Sequence, residues 1–327
     1  MTDNSIVSAI LGGDRSTCCL RRFFAAGTLA NKLRIAFLRR QTTRGPLDSI
    51  YERPEQPTIE YLRQRGFSSS IIERFFTPFL GGVFLDHELQ TSSRMCDFVF
   101  RMFALGQATL PAEGMESIPQ QLARELPQGC ILTDARVAAV RENEVVLHSG
   151  ETISAAAIVI ATEAPGACKL LNKPTSPPGR SVQCLYFAAS EPPIREPISV
   201  LNSEGTGPIN NLCVPSQVAA GYAPSGQSLI SVTVLEAPGD GTNLVSEVMQ
   251  QLKAWYGTTV ESWRHLRTYT INYALPAQTP PALDPVAKPS MATAGIAVCG
   301  DYCDTASING AIASGRRAAS EISKLLA

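Results

Sequence analysis

The sequence of 327 residues has few histidines and no excess of either charge, and these shortages exclude several classes of protein. Its three histidines are isolated from one another, and none stands in the spacing of a zinc site, so no metal is expected. Lys and Arg number 28 against 29 Asp and Glu, so no basic field exists to attract nucleic acid. The chain also lacks a Gly-x-Ser-x-Gly turn, which argues against a serine hydrolase.

Long apolar runs are missing as well. The longest clean run, residues 155–161, is far shorter than the roughly 20 residues that a membrane-spanning helix needs. Residues 1–13 lack the basic start, apolar centre and cleavage site of a secretory signal, so we expect a cytoplasmic protein and leave organelle import open. The nine cysteines are scattered without a CxxC pair, and we interpret them as reduced thiols in the core.

One segment, residues 16–44, is rich in basic and apolar residues and contains no Asp or Glu. This composition is typical of an amphipathic helix on a membrane surface, of an organelle transit segment, or of a helix with a solvated basic face. We favour the solvated basic face, and peripheral membrane contact stays open.

Periodicity predicts mostly helix over residues 1–110 and strand-rich structure beyond them. The run at 155–161 is apolar throughout, as in a strand covered on both faces. The remaining predicted elements are helices at 58–64, 70–79, 118–126 and 243–256, and strands at 135–140, 144–148, 153–161, 182–189, 229–236, 266–272 and 296–299.

The C-terminal segment is the most informative about chemistry. A short strand ends at Gly300 and Asp301, and a helix is predicted from Ile308. Asn309 and Gly310 stand at the start of this helix, where unsatisfied backbone N–H groups and the helix dipole favour an electron-rich or anionic ligand. The small residues that follow let a flat ligand approach the backbone. A flavin meets these requirements, and a plain β-α unit with small packing residues is the open alternative.

The same helix is expected to bury one apolar stripe, with Arg316 and Arg317 facing outward together with Ser320 and Lys324. The stripe consists of Ala311, Ile312, Gly315, Ala318, Ala319, Ile322, Leu325 and Leu326. Gly310 and Gly315 have the spacing of a phosphate-binding Walker loop, but Arg316 replaces the lysine and no Ser or Thr follows, so we reject that interpretation.

The pattern from Val298-Cys-Gly-Asp301 to Asn309-Gly-Ala-Ile-Ala-Ser-Gly-Arg316 resembles the C-terminal flavin motif of the flavin-dependent amine oxidase, protoporphyrinogen oxidase and phytoene desaturase superfamily. Three further segments resemble that superfamily in the same order, namely 111–119, 136–162 and 271–276. The resemblance implies an α/β fold in which a Rossmann-like FAD-binding domain is combined with a mixed α+β substrate domain.

The resemblance also implies FAD as the cofactor and assigns residues to it. Asp301, preceded by Gly300, would bind the ribityl or pyrophosphate region, and Val137 would hold the adenine through its backbone. The N–H groups of Asn309, Gly310 and Ala311 would lie near the isoalloxazine O2 and N1. Tyr273 and Trp263 are candidates for the substrate cavity or, equally, core aromatics. No catalytic acid or base is assigned.

The implied domain layout alternates along the chain. Residues 1–110 would be the helical part of the substrate domain and 171–289 its strand-rich part. Residues 111–170 and 290–327 would be segments of the FAD-binding domain.

One element of the superfamily pattern is missing, because the sequence has no strand followed by Gly-x-Gly-x-x-Gly and a helix. An incomplete gene model, a chain that has lost FAD affinity, and a partner that supplies the missing half each explain this, and we favour the first. We expect an FAD-dependent oxidoreductase that oxidises a C–N or C–C bond of a small or isoprenoid-like molecule. The alternative is a non-catalytic or truncated homologue that acts as a binding protein. Oligomeric state is left open.

Overall fold

The computed structural model describes residues 7–10, 28–235 and 243–327. These residues form two compact units, each built from two separate segments of the chain. Unit 1 comprises Arg180–Ala274 and the described residues up to Pro119. Unit 2 comprises Gln120–Gly179 and Leu275–Ala327.

The elements have the following bounds. The helices are α1 Leu29–Thr42, α2 Thr58–Gln64, α3 Thr77–Phe84, α4 Ser93–Leu105, α5 Ser117–Arg124, α6 Ala164–Leu170, α7 Pro215–Val218, α8 Leu244–Tyr256 and α9 Ile308–Leu326. The strands are β1 Val7–Ile10, β2 Val137–Arg141, β3 Glu144–Leu147, β4 Thr152–Ser154, β5 Ile158–Ile160, β6 Gly179–Ala189, β7 Ile198–Leu201, β8 Ile209–Cys213, β9 Ser228–Leu235, β10 Arg264–Pro276, β11 Met291–Thr293 and β12 Ile296–Val298. The helical turns Ser69–Ile71 and Ile72–Phe76, the second of π type, lead into α3.

The first part of unit 1 is helical, as the periodicity predicts, apart from strand β1. Side-chain caps begin two of its helices: Thr28 Oγ1 accepts from the Asn31 N–H, and Ser92 Oγ accepts from the Arg94 N–H. Helical spacing brings phenylalanines together between these helices. The rings of Phe67 and Phe76, for example, meet edge to face with centroids 4.8 Å apart.

Two buried carboxylates tie unit 1 together. Asp97 on α4 accepts hydrogen bonds from the Tyr61 hydroxyl and from Arg53, the latter at 2.5 Å. Asp86 accepts from the N–H and the hydroxyl of Thr91 at 2.7 and 2.8 Å, and it pairs with Arg180 of β6 at 3.1 Å. This ion pair joins the helical segment to the sheet of the same unit.

That sheet has the strand order β1-β7-β8-β9-β6-β10. Alternation along β9 buries Ile230, Val232 and Val234 on one face, where α8 covers them with Val248 and Leu252. Trp263 belongs to the same core. Of the two roles considered for it, a place in the substrate cavity or in the core, the structure favours the core.

Unit 2 contains two small sheets. In one of them β12 runs parallel to β5 and antiparallel to β11. The other is the meander β2-β3-β4, whose Val140 and Val145 pack against Ile158, Ile160 and Ile296. The expectation that both faces of β5 are covered is wrong, because Val159 is 41% exposed.

The seven described cysteines are free. Cys96, Cys299 and Cys303 are buried, as expected of core thiols, and burial raises the pKa of the Cys303 thiol to about 11. Cys130 is exposed, so the expectation of core thiols is wrong for that residue.

Candidate functional site

The candidate site begins where β12 ends. Gly300 has a φ of +155°, and a Cβ added to it would lie 2.5 Å from Cε1 of Tyr302. Only glycine fits this backbone, which leads directly into the 3-10 turn Asp301–Cys303. The carboxyl ends of parallel strands are where α/β folds bind ligands.

Asp301 presents a half-buried carboxylate at this point. Burial raises the pKa of Asp301, while hydrogen bonds from the backbone N–H groups of Tyr302 and of Asp301 itself act in the opposite direction. Asp301 forms no ion pair with any residue that the structure describes. The carboxylate is therefore suited to accept hydrogen bonds from a neutral donor such as a hydroxyl.

The loop between this turn and α9 is held in place by two side chains. Gln278 donates to the Asp304 carbonyl at 2.7 Å and accepts from the Ala306 N–H at 2.9 Å. Arg317 of α9 donates to the Asp304 carboxylate at 2.5 Å and to the Cys303 carbonyl at 2.9 Å. The expectation that Arg317 faces outward is therefore wrong, because it is the ion-pair partner of this loop.

The N-terminus of α9 is capped by Ser307. Its Oγ accepts from the Gly310 N–H at 3.0 Å, and its carbonyl accepts from the Ala311 N–H at 2.9 Å. Two of the three N–H groups expected to face a ligand are thus already paired within the chain. The N–H groups of Ile308 and Asn309 donate to none of the described residues, so these two remain available at the positive end of the helix dipole.

Small residues bring α9 against the loop and the strand end. A Cβ on Gly310 would lie 2.0 Å from the Thr305 carbonyl oxygen. Ser314, fully buried, accepts from the Gly300 N–H at 3.0 Å and donates to the Gly300 carbonyl at 2.8 Å. These contacts connect the strand end directly to the helix.

The buried face of α9 therefore differs from the expected apolar stripe. It consists of Gly310, Ser314 and Ala318, whereas Ile312, Leu325 and Leu326 are exposed. The close backbone approach at Thr305 and Gly300 requires the smallest side chains on this face, so size rather than apolarity sets its orientation.

Val137, the residue expected to hold the adenine, lies on β2 in the meander of unit 2. It pairs with Leu147 of β3, next to a register shift between Val137 and Ala139. All six residues assigned to the cofactor thus belong to unit 2, on three different elements: Val137, Gly300, Asp301, Asn309, Gly310 and Ala311. Their roles remain predictions.

Sequence patterns did not indicate a role in the site for three residues of this arrangement, namely Gln278, Ser314 and Arg317. Ser314 follows Gly310 by four residues and therefore shares its face, which is a signal that was available. Gln278 lies 28 residues before Ala306, and no local pattern connects the two.

A concave feature lies elsewhere in unit 2. A shallow cavity of about 330 Å³ is lined by residues that include Val140, Leu170 and Ile296. Ile296 begins β12, whereas Asp301 follows the end of that strand. The cavity is therefore at the opposite end of the strand from the candidate site.

We expect Ser314→Ala to destabilise the chain by about 1–3 kcal/mol, because it removes a fully buried hydroxyl and leaves the half-buried N–H of Gly300 without its acceptor. The exposed Ser320 of the same helix provides the matched control, Ser320→Ala, with an expected change within about 0.5 kcal/mol. Urea denaturation followed by circular dichroism measures both. Equal midpoints for the two variants would show that the Ser314 contacts contribute nothing.

Comparison with known proteins identifies the family. Residues 28–323 match the family model described as flavin containing amine oxidoreductase. No sequence among the curated proteins matches the chain.

Solved structures share the fold. An oxidoreductase from Methanosarcina mazei superposes with a TM-score of 0.71 at 16% identity, covering 93% of this chain and 75% of its own. Cyclohexylamine oxidase from Brevibacterium oxydans gives 0.61 at 12% identity, covering 98% and 81%. Putrescine oxidase bound to putrescine gives 0.62 at 11% identity, covering 91% and 76%.

These findings confirm the resemblance and the α/β fold with an FAD-binding part that the sequence predicts. Since the family model spans nearly all of the described chain, the protein belongs to the flavin-containing amine oxidoreductase family and is an FAD-dependent oxidoreductase.

Proposed function

We propose that this chain oxidises a C–N or C–C bond of a small or isoprenoid-like molecule, and that unit 2 holds its FAD. The observation that carries the proposal is the joint between the end of β12 and the N-terminus of α9, which is held together by hydrogen bonds of Ser314, Gln278 and Arg317. Unit 1, with its helices and six-stranded sheet, binds the substrate in this proposal. The proposed cofactor residues are Val137, Gly300, Asp301, Asn309, Gly310 and Ala311.

Asp301 fits the ribityl chain of a flavin. A half-buried carboxylate without an ionic partner gains stability from hydroxyl donors, and a ribityl chain offers several of them. A carboxylate repels a pyrophosphate, since both are anionic. Of the two regions considered for Asp301, the ribityl chain is therefore the favoured one.

The N-terminus of α9 fits the pyrimidine edge of the flavin ring. With FAD bound, the free N–H groups of Ile308 and Asn309, together with the helix dipole, would stabilise negative charge near N1 and O2 of its ring. Gly310 and Ala311 contribute differently, because their N–H groups donate to Ser307. They set the position of the helix and keep its surface small enough for a flat ring.

FAD, when bound, supplies the electron acceptor of the reaction, and the protein's part is to orient cofactor and substrate. Cyclohexylamine oxidase and putrescine oxidase, which share the fold, are named for amines. Oxidation of a C–N bond is therefore the first reaction to test.

We expect Asp301→Asn to weaken FAD binding about 10- to 100-fold, since a hydrogen bond to a charged group contributes about 1.5–3 kcal/mol. Glu321→Gln, on an exposed glutamate of α9, is the matched control and should leave the affinity unchanged. A fluorescence titration of FAD with each purified variant measures the effect. Equal affinities for wild type and Asp301→Asn would remove this residue from the cofactor site.

The reaction class is tested on FAD-loaded protein mixed anaerobically with single compounds. Primary amines, secondary amines and polyene hydrocarbons are compared by the loss of visible flavin absorption. Bleaching by one class identifies the bond that is oxidised. Flavin that stays oxidised with every class would contradict the proposed activity and favour the binding-protein alternative.

A further inference from the structure

The outward face of α1 carries a stripe of large apolar side chains. Leu29, Leu33 and Phe37 are 72%, 64% and 64% exposed, and their spacing of four residues places them in one row along the helix. The opposite face, with Asn31, Leu38 and Thr42, is buried. The helix therefore exposes an apolar surface to solvent. The solvated basic face favoured from the sequence does not account for this apolar surface.

Basic residues border this stripe. Lys32 and Arg39 lie on one side of it, Arg34 on the other and Arg40 on the stripe itself, while residues 16–44 contain no acidic residue. The chain as a whole carries a net charge of −1, so the positive charge here is a local feature. The surface complements an anionic partner with an apolar interior.

Contacts with the rest of unit 1 hold the helix in this orientation. Asn31 donates to the Ser68 hydroxyl at 3.0 Å, and Arg39 donates to the Ala104 carbonyl at 3.2 Å. Ala104 is followed by Leu105 at the end of α4, which is also exposed. An exposed apolar residue therefore follows directly after the one that Arg39 contacts.

We propose that α1 docks this protein on the surface of an anionic phospholipid bilayer. Long basic side chains beside a narrow apolar stripe match the interface, where the apolar row enters the acyl boundary and Arg34 and Arg40 reach the headgroups. A spanning role is not implied, since α1 has 14 residues and no described helix is long and apolar enough to cross a membrane. The inference goes beyond the proposed function and does not rest on flavin binding.

The test is co-sedimentation of the full purified chain with vesicles of phosphatidylcholine, alone or with about one third phosphatidylserine. We expect the protein to pellet with the anionic vesicles at low salt and with the neutral ones much less. Raising the salt to about 1 M, where the screening length falls to about 3 Å, should release it.

Matched pairs of variants locate the surface. Arg40→Gln should lower the partition coefficient roughly fivefold, as expected for one basic residue at an anionic surface. Leu33→Ser should lower it about 10-fold or more, because the leucine no longer enters the acyl boundary. The controls are Arg124→Gln and Leu122→Ser on α5, where Arg124 is exposed and Leu122 is 60% exposed. Circular dichroism verifies that each variant is folded.

Three results would overturn the proposal. The first is failure of the wild type to pellet with anionic vesicles at low salt. The second is equal partition of the α1 and α5 variants. The third is a dimer in size-exclusion chromatography that Leu33→Ser converts to a monomer without changing vesicle binding. The last result would assign the stripe to a second copy of the chain. None of them bears on FAD binding, which is measured separately.

Discussion

Gly310→Ala should weaken FAD binding by about 100-fold or more. An added Cβ would lie 2.0 Å from the Thr305 carbonyl oxygen and 2.6 Å from its hydroxyl oxygen, far inside van der Waals contact. The loop that carries Thr305 is anchored by Gln278, which lies outside α9, so the clash must shift the N-terminus of the helix instead. A displaced α9 takes the free N–H groups of Ile308 and Asn309 away from the flavin ring, and two lost hydrogen bonds of about 1.5 kcal/mol each correspond to about 100-fold in affinity.

The matched control for this variant is Gly315→Ala on the same helix. Nothing lies within 4 Å of a Cβ at Gly315, so FAD affinity should be unchanged. Stability should increase by about 0.5–1 kcal/mol, because alanine is favoured over glycine inside a helix. FAD titration and thermal unfolding of both variants test the pair. Wild-type FAD affinity in Gly310→Ala would contradict the role given to the close contact at Thr305.

Asp86→Ala should cause the largest loss of stability, about 3–5 kcal/mol, as expected when one member of a buried ion pair is removed. Asp86 is fully buried, and its carboxylate accepts from Thr91 twice and from Arg180. Without it, the Thr91 N–H loses its acceptor and the Arg180 side chain loses its carboxylate. The link between the loop that follows α3 and strand β6 is then broken.

Glu88→Ala, on an exposed glutamate two residues away, is the control and should change stability by no more than about 0.5 kcal/mol. Both tryptophans of the chain, Trp255 and Trp263, lie in unit 1. Tryptophan fluorescence during urea denaturation therefore reports on the unit that contains Asp86. Identical midpoints for the two variants would show that the buried pair does not stabilise this unit.

The elements of this fold were largely predictable because their periodicities are local. The alternation that predicts β9 and the helical spacing that predicts α8 and α9 need no knowledge of the rest of the chain. The β-branched runs near β2, β3 and β5 likewise predict strands. Each of these appears in the structure close to its expected position.

The orientation of α9 was not predictable in the same way. Apolarity points to Ile312 and Leu325 as buried residues, yet the helix buries Gly310, Ser314 and Ala318. Close backbone contacts at Gly300 and Thr305 select small side chains, and only the folded chain shows them. The inward position of Arg317 has the same origin, since its partner Asp304 lies in a loop with no periodic pattern.

The exposed face of the basic segment, residues 16–44, was also not predictable from the sequence. Composition marks residues 16–44 as basic and apolar, and both properties are consistent with a membrane helix or a solvated one. The anchoring of α1 through Asn31 and Arg39 determines which face is exposed. That contact pattern, which turns Leu29, Leu33 and Phe37 outward, is a property of the tertiary structure.

The visible absorption spectrum of the purified chain, recorded before and after incubation with FAD and desalting, shows directly whether unit 2 retains the cofactor. If the joint between β12 and α9 holds the cofactor, flavin bands will remain with the protein after desalting, and Asp301→Asn and Gly310→Ala will lose them. A colourless protein that returns all its FAD on desalting would contradict the claim that these residues bind the flavin.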